Sequence, residues 1–415
     1  MRVYIESNGC NRRNSELDRI CKYFGLNGYE IVNSPQKADY IFLNTCAFKK
    51  KEEDYSISRI KALKDYPAKL IVYGCLPDIA PSKFKEFSQI AHLAPRNIDK
   101  IDSHFKNITY KFSEIKDSII TVEHANLNPL TTSMQKFKRE FEFSNDFCLR
   151  VARYAEKRIK TMFGLYKKHL NLFICRGCFG NCSYCAIRRA IGSLESQPAE
   201  LVIRQFKEGF NAGYRSFVIS GDDVGAYGQD INNTFHELFC RLINESNKLS
   251  VQSPPKLKKN GEIGFYIEEL SPKWLILFGE KLLDVFRAKQ VRSILCPIQS
   301  GSERILKLMN RQYNSKDVEK YLLKLHTANP EIQLSTHIII GFPSETEEDF
   351  DKTLHLLNKI HFDIVVIFPY HEKENTPATR VNPKIPDNVI RERVKKTQKY
   401  LKKQKTKVYL SCPDS

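Results

Sequence analysis

Three cysteines, Cys178, Cys182 and Cys185, are spaced C-x3-C-x2-C within the segment FICRGCFGNCSYCAIRRA at 173–190. Three thiolates this close on one loop can face a single metal centre, but they are one fewer than the four that close an ordinary [4Fe–4S] or zinc site. An iron left without a protein ligand can bind a small molecule instead. The alternative is a zinc knuckle or a structural cluster, which the three cysteines alone do not exclude.

The position of this loop predicts which edge of the fold holds the metal centre. A short apolar run at 172–174 precedes the loop, and a helical pattern begins near Pro198. Cys175 forms a further C-x2-C pair with Cys178, but we interpret it as the last residue of the strand. The loop therefore lies at the C-terminal end of a β-strand, where α/β barrels and sheets carry their active sites.

The first part of the chain, 1–108, alternates strand and helix patterns, which predicts a small flavodoxin-like domain with a parallel sheet. Cys10, Cys46 and Cys75 each stand where a predicted strand ends, in the sequences SNGC, LNTC and VYGC. Because the carboxyl ends of parallel strands meet at one edge of a sheet, these cysteines predict a second three-cysteine cluster. The alternative is three buried cysteines that act as small apolar residues.

Composition limits the partners and the compartment. The chain has 415 residues, a net charge of +18 and twelve cysteines. The positive charge favours a polyanionic partner, RNA or DNA, although many basic proteins bind no nucleic acid. The sequence has no apolar run of about 18 residues and no signal-peptide pattern at its start, which predicts a cytoplasmic protein without a membrane span. In a reducing cytosol the cysteines are expected to bind metal and not to form disulfides.

The chain resembles a known enzyme family over nearly its whole length. The triad with Tyr184 before its third cysteine resembles the radical SAM signature, and the N-terminal G-C, N-T-C and G-C strand ends resemble the methylthiotransferases of that superfamily. Four later segments resemble successive sequence blocks of that family, namely SGDDVGAYGQD (220–230), CPIQSGSERILKLMNRQY (296–313), THIIIGFPSETEEDF (336–350) and NTPAT (375–379). The GDDVGAYGQD and GSLESQP stretches resemble the branch that acts on N6-threonylcarbamoyladenosine in tRNA.

The resemblance implies two [4Fe–4S] clusters and S-adenosyl-L-methionine as cofactors. The triad at 178–185 would hold the cluster that cleaves S-adenosylmethionine to a radical, and the N-terminal cysteines would hold a cluster that carries sulfur. One S-adenosylmethionine methylates that sulfur, and a second yields the radical that removes hydrogen, so that a C–H becomes C–S–CH3. The implied substrate position is C2 of N6-threonylcarbamoyladenosine in tRNA, with a flavodoxin or ferredoxin as electron donor. No catalytic residue is expected beyond the clusters.

The resemblance also suggests residues for the S-adenosylmethionine pocket, all in or after strand-end loops. Tyr184 would pack on the adenine, or else is a core aromatic. Asp222 or Asp223 would receive the methionine amino group. The other residues expected in the pocket are Gln299, Ser300 and Gly341. The turn at Gly341 resembles the family sequence GFPGE, with Ser344 in place of the second glycine.

The expected fold class is α/β, with the flavodoxin-like domain followed by a radical SAM core that forms a partial (β/α)6 barrel. The expected boundaries are 1–108 for the first domain, 109–170 for a basic connector, 171–383 for the core and 384–415 for a basic C-terminal helix and tail. Strand–helix alternation alone also allows a flat doubly wound sheet, and the resemblance favours the barrel. A basic helix at 150–168 is expected to contact phosphate, or else to be a solvated face.

Two other functions remain compatible with the sequence. The first is the same chemistry on a peptide, a ribosomal protein or a small molecule. Family members usually continue into an RNA-binding TRAM domain, which we expect to be absent here or at most begun at 408–410, and this favours that alternative. The second is a basic RNA-binding protein with structural clusters, against which the two complete cysteine triads argue. The net charge and the basic helices favour tRNA as the substrate.

Overall fold

A computed structural model describes residues 1–115, 169–252 and 261–411 of the chain. The predicted basic helix at 150–168 and most of the predicted connector lie outside these ranges. Short 3-10 helices occupy Pro35–Lys37, Lys85–Phe87, Pro95–His104, Phe112–Glu114, Val224–Ala226 and Pro377–Arg380. Within the described ranges no helix is long and apolar enough to cross a membrane.

The N-terminal part is a five-stranded parallel sheet with an apolar cluster on each face. Its elements are β1 (Arg2–Ser7), α1 (Asn11–Leu26), β2 (Glu30–Val32), β3 (Tyr40–Thr45), α2 (Lys50–Leu63), β4 (Lys69–Gly74), α3 (Leu76–Ile79), α4 (Pro81–Phe84) and β5 (Ala91–Leu93). The strand order is β2-β1-β3-β4-β5, which is the flavodoxin-like order. Successive residues of β3 alternate between the two clusters, with Ile41 and Leu43 on one face and Phe42 on the other. The predicted flavodoxin-like sheet is confirmed.

The second part begins with the strand that precedes the cysteine loop. Its elements are β6 (His169–Arg176), α5 (Ile187–Ile191), β7 (Glu195–Ser196), α6 (Ala199–Asn211), β8 (Ser216–Gly221), α7 (Phe235–Gln252), β9 (Gly264–Ile267), α8 (Pro272–Phe278), α9 (Glu280–Phe286), β10 (Val291–Leu295), α10 (Glu303–Leu308), α11 (Ser315–Ala328), β11 (Gln333–Ile340), α12 (Glu347–Lys359), β12 (Ile364–Pro369), α13 (Asp387–Lys403) and β13 (Lys407–Leu410).

The eight strands of this part form one sheet, in the order β13-β12-β11-β10-β9-β8-β6-β7. The six predicted strands are all present and parallel, so the predicted partial (β/α)6 barrel is confirmed. Two strands were not predicted. The two-residue strand β7 is antiparallel to β6, and β13 pairs in parallel with β12. The segment 408–410 thus extends the barrel sheet, and the preceding helix ends at Lys403 instead of continuing to residue 407.

The helix after the cysteine loop connects the two parts of the fold. Although α5 follows the first barrel strand, Ala186, Ala190 and Ile191 pack into an apolar cluster of the N-terminal sheet. Cys178 also packs against this cluster. The cysteine loop is therefore held between the barrel and the edge of the N-terminal sheet.

Candidate active site

One cavity of about 480 Å³ lies where the C-terminal edges of the two sheets meet. All the cysteines of both predicted triads line it, namely Cys10, Cys46, Cys75, Cys178, Cys182 and Cys185. Cys46 and Cys75 directly follow β3 and β4, Cys10 begins the turn into α1, and the other three follow β6. The structure thus brings together at one site two sets of thiols that are more than a hundred residues apart in sequence.

The loop with the C-x3-C-x2-C spacing leaves space between its first two sulfur atoms. The N–H of Gly180 donates to Cys178 Sγ at 3.2 Å. A Cβ atom at Gly180 would stand 3.3 Å from Cys178 Sγ and 3.9 Å from Cys182 Sγ, so a larger residue would enter the space between them. Burial raises the pKa of Cys185 to about 11 and also raises the pKa of Cys178. Because cysteines bind metals as thiolates, metal binding here must release protons.

The second triad lies at the edge of the N-terminal sheet. The N–H of Cys75 donates to the carbonyl oxygen of Thr45 at 3.1 Å, which joins the ends of β3 and β4. Gly74 has a φ of +115°, and a Cβ atom there would come within 2.2 Å of the same carbonyl, so only glycine allows this approach. Burial raises the pKa of Cys75, and the nearby thiols of Cys46 and Cys10 raise it further. The three thiols are therefore close enough to interact electrostatically.

The number of cysteines in each triad suits an iron–sulfur cluster that keeps one iron open, because each triad offers three thiols and not four. The described ranges contain no group of three histidine, cysteine, aspartate or glutamate residues that surrounds one metal ion, which is what a zinc knuckle requires. In a [4Fe–4S] cluster each thiolate binds a different iron, so the sulfur atoms stand farther apart. Gly180, which has no side chain, leaves room beside the sulfur atoms of Cys178 and Cys182.

The two aspartates after β8 have different partners. Asp222 accepts hydrogen bonds from Arg13 at 3.0 and 2.8 Å and from a backbone N–H at 3.0 Å. Asp223 accepts from Trp274 Nε1 at 2.9 Å, and its second oxygen lies 3.5 Å from the sulfur of Cys178. Burial raises the pKa of Asp223. Asp222 is thus neutralised by an arginine of the N-terminal domain, whereas Asp223 lies next to the radical SAM-like triad.

Gln299 lines the cavity, whereas two other residues expected in the pocket do not. The Gln299 side chain is 8% exposed, and its Oε1 has no hydrogen-bond partner among the described residues. A buried acceptor without a partner is costly, so this oxygen is suited to a bound donor. Ser300 instead lies 3.3 Å from the hydroxyl of Thr353, inside the turn. A Cβ atom at Gly341 would lie 2.4 Å from Ile390, so this glycine serves the packing of α13.

Tyr184 lies directly before the third cysteine of the triad, and an arginine that the sequence did not suggest contacts the second. Tyr184 lines the cavity, and its ring lies edge-on to Phe342 with the centroids 6.4 Å apart. Arg311 donates to the sulfur of Cys182 at 3.4 Å and to the carbonyl of Pro297 at 3.3 Å. Its Nε is buried and has no partner in the described part of the chain. The sequence pointed to Arg311 only through its place in the block at 296–313 that resembles the family.

Buried ion pairs connect the N-terminal domain to the barrel beside the cavity. Arg13 bridges Glu16 at 2.8 Å and Asp222 at 2.8 Å, and these three side chains are only 2%, 5% and 3% exposed. Arg12 pairs with Glu269 of the barrel at 2.9 Å. Both arginines follow Cys10 closely, so the segment that carries one thiol of the second triad is itself bound to the barrel.

Comparisons with known proteins relate the two parts of the chain to known families. The model of the radical SAM superfamily matches residues 172–357, and the model of the uncharacterised protein family UPF0004 matches residues 2–94. A probable threonylcarbamoyladenosine tRNA methylthiotransferase of Pyrococcus horikoshii is 29% identical over 394 residues, which are 95% of this chain and 82% of that protein. The threonylcarbamoyladenosine tRNA methylthiotransferase MtaB of Thermotoga maritima is 28% identical over 400 residues, covering 94% of this chain and 80% of that protein.

Solved structures share the fold at low sequence identity. The radical S-adenosylmethionine methyltransferase TsrM from Kitasatospora setae, with cobalamin and a [4Fe–4S] cluster bound, is 10% identical, with a TM-score of 0.61 over 91% of this chain and 76% of that one. The cobalamin-dependent S-adenosylmethionine radical enzyme OxsB is 13% identical, with a TM-score of 0.54 over 99% of this chain and 58% of that one. These likenesses support the order of the two folds along the chain.

Proposed function

We propose that this chain, a member of the radical SAM superfamily with a UPF0004 domain before its radical SAM domain, methylthiolates C2 of N6-threonylcarbamoyladenosine in tRNA. The observation that carries the proposal is the single cavity that both cysteine triads line. A transfer of sulfur to an unreactive carbon needs the sulfur source and the hydrogen-abstracting centre within reach of one substrate atom. The names of the relatives that match across both domains supply the substrate.

The two triads have separate tasks in this proposal. Cys178, Cys182 and Cys185 would hold the cluster next to S-adenosylmethionine, and the N-terminal triad would hold the cluster that carries sulfur. When bound, the clusters and S-adenosylmethionine supply the electron, the radical and the methylthio group. The chain itself binds, orients and shields the reactants, which is the usual share of a protein in cofactor chemistry.

Polar groups in the cavity are suited to hold S-adenosylmethionine. The Asp223 carboxylate would accept a hydrogen bond from the amino group of S-adenosylmethionine. The thiol of Cys178 now faces this carboxylate, but a bound cluster would take the sulfur as a thiolate, without its proton. The carboxylate oxygen would then be available to the amino group. The unpartnered Oε1 of Gln299 offers a second buried acceptor. Trp274 fixes Asp223 through its indole N–H, and the mainly apolar walls exclude water from the reactants.

The charge distribution supports tRNA as the substrate. The chain has a net charge of +18, and α13 carries an exposed stripe at successive helical turns, formed by Arg391, Lys395, Lys399 and Lys402. None of these four forms an ion pair within the described ranges, whereas Arg393 on the opposite face pairs with Glu345 at 2.9 Å. Unpaired cations in a row attract phosphates and release counterions on binding.

A matched pair of variants tests this stripe. The change Lys395→Glu with Lys399→Glu should weaken tRNA binding and reduce the slope of log Kd against log salt by about one unit per lost phosphate contact. The change Lys316→Glu with Lys320→Glu alters the net charge equally on the exposed face of α11 and should leave that slope unchanged. Equal effects of the two pairs would refute a specific role for α13.

The reaction also needs an electron donor and a reducing compartment. We propose a flavodoxin or a ferredoxin as the donor and the cytoplasm as the location. No disulfide joins the ten cysteines of the described ranges, which fits a reducing compartment.

The decisive experiment is mass spectrometry of tRNA nucleosides from cells with and without this gene. Deletion should remove a 2-methylthio derivative of N6-threonylcarbamoyladenosine, and the wild type, but not Cys182→Ala, should restore it. An unchanged nucleoside profile would refute tRNA as the substrate and direct the search to peptides and metabolites. Failure of the reduced, reconstituted protein to cleave S-adenosylmethionine would instead favour an RNA-binding protein with structural clusters.

Iron content tests the second triad separately from the reaction. After anaerobic reconstitution the wild type should hold about eight irons per chain, four for each cubane cluster. A triple variant with Cys10→Ala, Cys46→Ala and Cys75→Ala should hold about four. Iron that stays at the wild-type level in the triple variant would refute the second cluster.

A further inference from the structure

We propose that three aromatic side chains beside the cavity, Phe48, Phe368 and Tyr409, bind unpaired RNA bases that flank the base in the active site. We call this set the aromatic surface. The proposal rests on the proposed function, because it assumes that the cavity receives a base of an RNA. It adds residues for recognition of the substrate strand, and the three differ from the residues assigned above to the clusters and to S-adenosylmethionine.

The strand register puts two of these side chains on the same face of the barrel sheet. Tyr409 of β13 is in register with Val366 of β12, and Phe368 follows two residues later on β12. Because side chains alternate along a strand, Val366, Phe368 and Tyr409 share one face. The intervening Ile367 belongs to the barrel core on the other face. Phe368 lines the cavity, so the shared face opens toward it.

The third aromatic comes from the N-terminal domain. Phe48 follows Cys46 by two residues and lines the cavity. Its ring lies 5.7 Å from the ring of Phe368 at an interplanar angle of 66°. The Nζ atom of Lys373, on the barrel, donates to the carbonyl of Ala47 at 2.8 Å and so ties the Phe48 loop to the barrel. The aromatic surface therefore spans both domains in a fixed arrangement.

Two of the three rings are more exposed than their size would favour, whereas Phe368 is half-buried. Phe48 is 45% exposed and Tyr409 is 55% exposed, although most large apolar side chains in the described ranges are buried. Isolated exposed aromatics are common and need no explanation. Here, however, Phe48 and Phe368 come from two domains and line one cavity with two cysteine triads, and Tyr409 lies on the strand face that carries Phe368. A ligand of the cavity that extends along this face explains the exposure.

The charges around the rings favour a nucleic acid over an apolar protein partner. Lys49 lies with its Nζ atom 5.8 Å from the centre of the Phe368 ring, and Lys407 is exposed on the same face as Tyr409. Neither lysine forms an ion pair with a carboxylate in the part of the chain that the structure describes. Aromatic rings interleaved with free cations are the usual surface for single strands, where bases stack and phosphates pair. A duplex hides the faces of its bases, so the ligand must be unpaired.

Binding of two RNA probes to the full-length protein tests the proposal. The first is a fluorescein-labelled stem with a seven-nucleotide unpaired loop, and the second is a fully paired hairpin stem of equal length closed by a non-nucleotide linker. Phe48→Ala and Tyr409→Ala should each raise the Kd for the looped RNA about 5- to 100-fold, the usual effect of losing one stacked base. Both variants should leave the Kd for the paired RNA unchanged.

Two controls separate stacking from other effects. Tyr110→Ala removes an aromatic that is 48% exposed near Asn27, at the end of α1 far from Cys10, and should not change either Kd. Phe48→Trp keeps a stacking ring and should restore binding that Phe48→Ala loses. Lys49→Gln should lower the salt dependence of binding, whereas the aromatic variants should not, because stacking releases no counterions.

The possible results separate this proposal from the proposed function. Unchanged binding of the looped RNA in Phe48→Ala and Tyr409→Ala would refute the aromatic surface and leave tRNA as the substrate. An equal loss for looped and paired RNA would also refute it, since it would indicate a general electrostatic or folding defect. No binding of either RNA by the wild type would refute both the aromatic surface and an RNA substrate.

Discussion

Replacement of Arg13 is expected to destabilise the junction of the two domains. Arg13 donates to Asp222 at 3.0 and 2.8 Å and to Glu16 at 2.8 Å. All three side chains are at most 5% exposed, so the carboxylates cannot regain water when the guanidinium is removed. The change Arg13→Met keeps a long apolar side chain and removes only the charge and its hydrogen bonds.

The expected loss follows from the partners that remain. Breaking a buried pair by removing one partner usually costs about 3–5 kcal/mol, because it leaves a buried charge uncompensated. Asp222 would keep a backbone N–H at 3.0 Å and Arg12 at 3.8 Å, and Glu16 would keep Arg176 at 2.8 Å. We therefore expect a loss of about 3 kcal/mol, at the lower end of that range.

Urea unfolding followed by tryptophan fluorescence measures this loss. The chain has one tryptophan, Trp274, which is 2% exposed and donates to Asp223 beside the cavity. With a slope of about 3 kcal/mol per molar urea, the midpoint should fall by about 1 M. Arg2→Met is the control, because its pair with Asp39 is 3.4 Å long and exposed, and exposed pairs contribute at most about 1 kcal/mol.

Two results would refute this reasoning. A loss below about 1 kcal/mol for Arg13→Met would mean that the buried pairs do not hold the domains together. Because the loss is attributed to an uncompensated carboxylate, the double variant Arg13→Met, Asp222→Asn should regain part of it, since the amide keeps the backbone hydrogen bond without the charge. A double variant less stable than Arg13→Met would contradict that cause.

Three further predictions test individual positions. Gly180→Ala should halve the iron bound after anaerobic reconstitution, to about four per chain, because the added Cβ would enter the space between two cysteine sulfurs. The control Gly25→Ala places its Cβ where no atom lies within 4 Å and should bind iron as the wild type does. Burial alone would raise the pKa of Asp349, but hydrogen bonds led by that from Arg304 lower it, so Asp349→Asn should cost about 2 kcal/mol at neutral pH. That difference should shrink in urea titrations below about pH 4, because the carboxylate of the unfolded wild type then takes up a proton before that of the folded protein does. Ser344 has a φ of +65°, a conformation that strains any residue with a Cβ atom. Both Ser344→Gly and Ser344→Ala lose the hydroxyl, and only alanine keeps this strain, so the free energy of unfolding in urea should be about 1 kcal/mol higher for Ser344→Gly.

The sequence predicted the fold and the convergence of the cysteines because local patterns determine both. Apolar runs such as that of β3 are buried on both faces of a parallel sheet, and the residues after such strands must meet at one edge. Cys46 and Cys75 follow two adjacent strands directly. Their meeting needed no information beyond the strand pattern and the topology.

The polar contacts of the site were not predictable in the same way. Arg13 and Asp222 are 209 residues apart, and Arg311 and Cys182 are 129 apart. No periodicity connects residues at such separations, because the contact depends on how one domain lies on the other. The same reason explains Ser300, which was expected in the pocket but is buried one residue beyond Gln299, against Thr353.

The buried ion pairs explain how one cavity can keep two separately folded triads in register. Arg13 follows Cys10 by three residues, and its partner Asp222 precedes Asp223, which contacts Cys178. A short rigid path therefore connects a thiol of the N-terminal triad to a thiol of the barrel triad. Apolar packing alone would tolerate sliding of one surface over the other, whereas Arg13, with Nη1 on Glu16 and Nη2 on Asp222, fixes the separation of these two carboxylates. A shift of the N-terminal domain would thus break this contact before it changed the apolar contacts of α5, and the two triads move apart only when these charges separate.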